Sequence, residues 1–268
     1  MANDYQFIIY EDRGAVVRLW HNRPDVGNAE SPELLDELDD AVRRAEADPK
    51  VNVVVLAGKG KHFSAGHDLK RPRSSVPTTP ETRLNFEERY YFEYCLRILD
   101  FKKPTIAQVQ GACMAGGFMV ANMCDLVVAS EDAFFSDPVC VSLGAAAVEV
   151  LIHPYVMGMR KAKEFLFTGR RMPAAEALEV GMVNKVVPLA DLDRETLALA
   201  DKIAAAPPFA MKLIKKSLNR VWEAQGIRTV LNAHLDTHQL AHESTFMKEL
   251  ASRGLGATVQ AGKSVAAG

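Results

Sequence analysis

Long hydrophobic runs are missing from this chain of 268 residues. No apolar stretch approaches the roughly 20 residues that span a bilayer. The opening Met-Ala-Asn-Asp-Tyr-Gln has neither the basic start nor the apolar stretch of a signal peptide. The expectation is therefore a cytoplasmic protein with no membrane partner. An excess of one charge is missing too: 32 Lys+Arg against 34 Asp+Glu leave a formal net charge of -2. That provides no basic field for nucleic acid. Cysteine is scarce. Cys95, Cys113, Cys124 and Cys140 are scattered without a CxxC pair, and read as small buried hydrophobes in a reducing compartment. There is no internal repeat. The length suits one large α/β domain, or one domain with an appendage.

What is present is an alternation of strand and helix signals. Val16–Trp20 reads as a strand, broken by Pro24 to Asn28. Ser31-Pro32-Glu33 has the form of an N-cap, a first helical proline and an acidic first turn. Leu34, Leu35, Leu38, Val42 and Ala45 then share one helical face until Asp48-Pro49. Val51–Ala57 is almost wholly apolar and β-branched, as expected of a strand covered on both faces of a parallel sheet. Further strands are expected at Thr105–Gln110, Leu126–Ala129 and Val183–Val187. Helices are expected at about Glu87–Leu99, Gly117–Met123, Ala146–Ile152, Lys161–Phe167, Pro173–Val180 and Asp191–Ala205. This order predicts a largely parallel sheet with right-handed crossovers. Pro207-Pro208 marks the start of a C-terminal helical part. The domain reading is a core over residues 1–195 and a helical region over 196–268.

Two glycine-bearing segments carry the chemistry. They are His62-Phe63-Ser64-Ala65-Gly66-His67-Asp68-Leu69 and Gly111-Ala112-Cys113-Met114-Ala115-Gly116-Gly117-Phe118-Met119. Each follows a predicted buried strand and supplies small residues at a turn. Such turns can aim two backbone N–H groups at one oxygen and so stabilise an oxyanion.

These segments resemble the crotonase (enoyl-CoA hydratase/isomerase) superfamily. Asn22-Arg23-Pro24 with Asn28-Ala29 is similar to the loop after that family's first strand. The segments through Leu69 and through Cys124-Asp125-Leu126 are similar to its two oxyanion segments. Thr168-Gly169, Ala174-Ala175-Glu176-Ala177 and Gly181-Met182-Val183 are similar to a later stretch. The resemblance implies an α/β fold, a spiral of β-β-α units with a C-terminal helical trimerisation region, and assembly as a homotrimer or dimer of trimers. It implies an acyl-CoA thioester as ligand, with coenzyme A part of the substrate and no separate cofactor. It implies that the amides of Ala65 and Gly116 meet the thioester oxygen. Gly66, His67, Asp68, Met119 and Val139 would complete the substrate-binding set.

The sequence departs from that family where hydratase chemistry needs two glutamates. Those positions hold Met119 and Val139, and neither can transfer a proton. Three replacements are weighed. Glu149, in an apolar stretch expected to be helical, would have a raised pKa and a hydrogen bond to His153 one turn on; the alternative is a structural glutamate. His67 would serve as a base near neutral pH or line the coenzyme channel. Asp137 would face the same side as Val139 in an extended segment. Asp68 and Asp125 read as caps or turn formers. Lys70, Arg71 and Arg73 suit phosphate oxygens or a solvated loop. His234, His238 and His242 recur every fourth residue, as metal ligands or, as preferred here, a polar helix face at a subunit contact with no metal. The functional reading is an acyl-CoA enzyme of hydratase or isomerase type with displaced acid/base residues, Glu149 foremost. The alternative is a non-catalytic acyl-CoA-binding protein. A serine peptidase is disfavoured, because Ser64, Ser136 and Ser142 lack a nucleophile turn with a histidine partner.

Overall fold

The computed structural model describes residues 5–70 and 79–253. Its strands are β1 (Ile8–Arg13), β2 (Val16–His21), β3 (Val53–Gly58), β4 (Thr105–Val109), β5 (Ala112–Met114), β6 (Leu126–Ser130), β7 (Phe134–Ser136), β8 (Met172–Pro173) and β9 (Lys185–Val187). They form a six-stranded sheet ordered β1-β2-β3-β4-β6-β9 and a three-stranded sheet ordered β5-β7-β8. Within the large sheet only β1–β2 is antiparallel; the other pairs are parallel. Consecutive strands β4–β5 and β6–β7 divide between the two sheets, and a helix follows each pair, which gives the β-β-α repeat.

Helix α1 (Pro32–Ala47) begins where expected. The Ser31 hydroxyl accepts the Leu34 N–H, and Leu34, Leu35, Leu38, Ala41, Val42 and Ala45 are buried. Every residue of β3 is buried, because its two faces serve two cores. Val54 and Leu56 pack with the α1 face, whereas Val53 and Val55 pack with Ile106, Val128, Leu192 and Ala200. Leu192 and Ala200 belong to α9 (Leu192–Ala204), which follows α6 (His153–Met157), α7 (Met159–Thr168) and α8 (Ala174–Glu179). The expected domain divide at 195/196 therefore falls inside a helix that covers the sheet. The helical remainder starts at Pro208 with α10 (Pro208–Ala224), followed by α11 (Ile227–His242) and α12 (Thr245–Arg253).

The helical stretch expected at Glu87–Leu99 is present and begins earlier, running without a break as α2 (Pro80–Glu87), a wider π-helical turn over Glu88–Glu93, and α3 (Tyr94–Asp100). Two expectations fail. Cys140 is exposed, unlike the three other cysteines. Residues 146–152 are not helical. After α4 (Gly116–Asn122) and α5 (Val139–Leu143), Gly144 turns left-handed, and Ala147 has φ +75°. The backbone there finds distant partners rather than its own turn. His238 Nδ1 lies 2.9 Å from the Ala147 carbonyl oxygen and His234 Nε2 lies 2.8 Å from that of Val148, while the Val148 N–H donates to Asp137 at 3.0 Å. Among the described residues no helix is long and apolar enough to cross a membrane.

Candidate active site

The two glycine-bearing turns lie against each other. The Phe63 N–H donates to Gln110 O, Ser64 N–H to Ala112 O and Met114 N–H to Ser64 O, at 2.9, 3.1 and 3.0 Å. Ser64 and Cys113 thus form a short parallel bridge. Glycine is required at the contact. A Cβ on Gly66 (φ +92°) would lie 2.9 Å from the Ala115 Cβ, and one on Gly117 would lie 2.5 Å from the Ser64 Cβ. Ala115 takes the left-handed φ of +45° and turns β5 into α4. The loop from Asn22 braces the first turn: the Asn28 amide donates to the carbonyls of Lys59 and His62, and Arg23 bonds Ala29 O and Asp68.

One expected donor is taken. The Ala65 N–H donates to Gly27 O at 2.9 Å, which corrects its assignment to a substrate oxygen. The amides of His67 and Gly116 have no acceptor among the described residues. Spacing alone does not say which amide of a tight turn is free. The difference arises because Gly27, across the turn, presents its carbonyl to Ala65.

Beside these amides is a buried set of charged side chains. His67 Nε2 lies 3.1 Å from Glu149 Oε2, and its Nδ1 lies 3.5 Å from Glu30 Oε2. The imidazole stacks on Tyr91 with ring centroids 3.6 Å apart. Glu30 is 1% exposed, and its Oε1 accepts the Ser64 hydroxyl at 3.0 Å. Burial opposes charge on His67, but the Glu149 carboxylate, with a lesser contribution from Glu30, outweighs it and pushes the imidazole up to about 10. Burial likewise opposes the Glu149 charge, and His67 holds that carboxyl at about 2. His67 is thus an imidazolium at neutral pH, not a free base. Glu149 is an ionised partner rather than an acid of raised pKa, and its partner is His67, not His153.

The other candidates scatter. Met119 lines the small cavity of about 10 Å³ shared by Glu30, His67 and Tyr91, enough for about one water, whereas Val139 opens α5 away from it. Asp137 is fully buried as a brace. It accepts the Val139 and Val148 amides and lies 3.2 Å from His153 Nε2, so it faces no ligand space. Asp68 binds Arg23, and Asp125 binds Thr105 and Lys215. Lys70 is exposed, and Arg71 and Arg73 lie outside the described residues. His234 and His238 turn inward onto the 147–149 segment rather than outward to a subunit contact, and His242 lies against His238 and Glu87. The sequence reading missed Glu30; its only signal was an acid directly after Asn28-Ala29.

The comparisons agree on one family. A family model for enoyl-CoA hydratase/isomerase matches residues 11–262. EchA13 of Mycobacterium tuberculosis, which bears an enoyl-CoA hydratase name, is 40% identical over 259 residues, covering 89% of this chain and 81% of its own. A 4-chlorobenzoyl coenzyme A dehalogenase of Arthrobacter is 34% identical over 224 residues, covering 83% and 80%. The crystal structure of an enoyl-CoA hydratase/isomerase from Xanthobacter autotrophicus Py2 superimposes with a TM-score of 0.90 at 37% identity, over 97% of this chain and 98% of that one.

Proposed function

The chain belongs to the enoyl-CoA hydratase/isomerase (crotonase) family, and from that premise we propose that it binds an acyl-CoA thioester in the cytoplasm and moves a proton at it through His67 and Glu149. The observation that carries this reading is the His67–Glu149 ion pair, set beside two unsatisfied amides, where Met119 supplies no acid or base. The thioester oxygen sits between the amides of His67 and Gly116. Each such donor contributes about 3 kcal/mol as charge develops on that oxygen. The imidazolium gives its proton to the α-carbon of the enolate, leaving a neutral imidazole against the Glu149 carboxylate. The reverse direction returns the proton to His67. Glu30 Oε2 has no hydrogen bond among the described residues and belongs to a residue lining the water-sized cavity, so it takes one proton from a water whose oxygen adds to the β-carbon to form that enolate, and returns it to the neutral His67 after the α-carbon is protonated.

The second reading, a binding protein without chemistry, is favoured by the apolar side chains at both family glutamate positions. Wild type and Glu149→Gln are assayed over a panel of enoyl-CoA esters, following loss of the conjugated double bond and α-proton exchange in D2O. The expected result is turnover by wild type and a kcat lowered about 10²–10⁴-fold in the variant. Equal turnover by both removes Glu149 from the mechanism. Ester binding with neither turnover nor exchange supports the second reading.

Self-association into a homotrimer or dimer of trimers is proposed through α10, whose Phe209, Leu213, Ile214, Leu218 and Val221 are exposed on one helix.

A further inference from the structure

We propose that Glu87, His238 and His242 form a binding site for one divalent cation of the zinc class, at the junction of α2 and α11. His238 and His242 are one turn apart on α11, and their Nε2 atoms lie 3.1 Å from each other. His242 Nε2 lies 3.3 Å from Glu87 Oε1, and His238 Nε2 lies 3.5 Å from Glu87 Oε2. Ligands at zinc's usual bond lengths occupy tetrahedral corners about 3.3–3.5 Å apart. The His242–Glu87 separation matches such an edge and the His238–His242 separation is about 0.2 Å shorter; with one ligand atom taken from each residue, the three lie within 4.8 Å of one another, so a cation draws the Glu87 carboxylate toward His238 as it binds.

The surrounding groups orient the ligands as a metal requires. His238 Nδ1 is 2.9 Å from the Ala147 carbonyl oxygen. A carbonyl only accepts, so that nitrogen carries the proton and donates, and the Nε2 lone pair is turned toward His242 and Glu87, with Glu149 Oε1 3.6 Å away on its other side. Gln239 donates to Glu87 Oε2, which fixes the carboxylate and leaves Oε1 toward His242. His238 and Glu87 are buried and His242 is half-buried, so the set is shielded from water but has an approach on the His242 side. Two histidines and one carboxylate are a ligand set that leaves a fourth corner for water. Gln239 follows His238 where a zinc hydrolase helix carries its glutamate base. The cation therefore fastens α11 to α2 rather than hydrolysing a substrate. From the sequence a metal is disfavoured because no acidic HExxH context accompanies the histidines; the acid comes instead from Glu87, distant along the chain.

The test uses the full chain, stripped with EDTA and titrated with Zn2+ alone. Bound metal is counted by elemental analysis after gel filtration, and Co2+ is substituted for absorption spectroscopy. The expected result is one Zn2+ per chain and the intense visible bands of a low-coordinate Co2+. Glu87→Gln and His242→Ala should each weaken Zn2+ by about 100-fold or more, with unchanged far-UV circular dichroism. No retained zinc in wild type, or equal affinity in folded variants, overturns the site and leaves a hydrogen-bonded polar cluster. If a variant fails to fold, the wild-type cobalt spectrum decides: the pale spectrum of a six-coordinate ion refutes the proposal.

Discussion

Replacing Glu149 by Gln removes the charge that holds His67 protonated, and the effect on stability can be worked from the site. The imidazole rises from an ordinary 6.5 to about 10 in the folded chain. At roughly 1.4 kcal/mol per tenfold change in proton affinity, that is worth about 5 kcal/mol. It is one interaction shared with Glu149 and is counted once. Glu30 remains 3.5 Å from Nδ1 and compensates part of the loss. The expected destabilisation is about 3 kcal/mol, at the lower end for breaking a buried pair. The sign with pH follows from linkage. A histidine raised on folding contributes fully below about 6.5, and the contribution fades as pH rises toward about 10. Glu149, lowered on folding, contributes above about 4.5, and its contribution fades as pH falls toward about 2. Urea unfolding of EDTA-treated wild type and Glu149→Gln should therefore differ most between about pH 5 and 6.5, with the gap closing by pH 10. A gap that stays constant from pH 6 to 10, or one below about 1 kcal/mol at pH 6, would refute the ion-pair reasoning.

Two further substitutions probe the geometry. A Cβ on Gly116 would lie 2.3 Å from Glu30 Oε2 and 2.5 Å from His67 Cε1. Gly116→Ala should thus displace both side chains and weaken binding of a non-hydrolysable acyl-CoA by about 10-fold or more, a loss of about 1.4 kcal/mol; calorimetry showing unchanged affinity would argue against convergence of the turns on the ligand. Leu218→Glu puts a charge on the exposed apolar side of α10, and light scattering should report a monomer; an unchanged larger assembly would place the contact elsewhere.

Much of the fold was legible because its signals are local. Ser31-Pro32 started α1, the all-apolar β3 announced a strand covered on both faces, and the glycines at 66, 116 and 117 marked the turns that meet. What was not legible depends on partners far along the chain. The alanine-rich 145–148 stretch has good helix formers, yet its carbonyls bond histidines about ninety residues away, as helix propensity is a weak prior against such contacts. The raised pKa expected of Glu149 followed from its apolar neighbours in sequence; the structure places His67 against it instead. Glu30 could not be singled out among the acids, because its burial depends on Ser64 and Gly116 meeting over it.

The bridge between Ser64 and Cys113 has a bearing on how this site can change. It ties the two turns by main-chain bonds, with the Asn28, Ser64 and His62 side chains bracing them, so the spacing of their amides does not depend on the side chains that line the cavity. Side chains lining the cavity can then be exchanged while those main-chain bonds keep the two turns together.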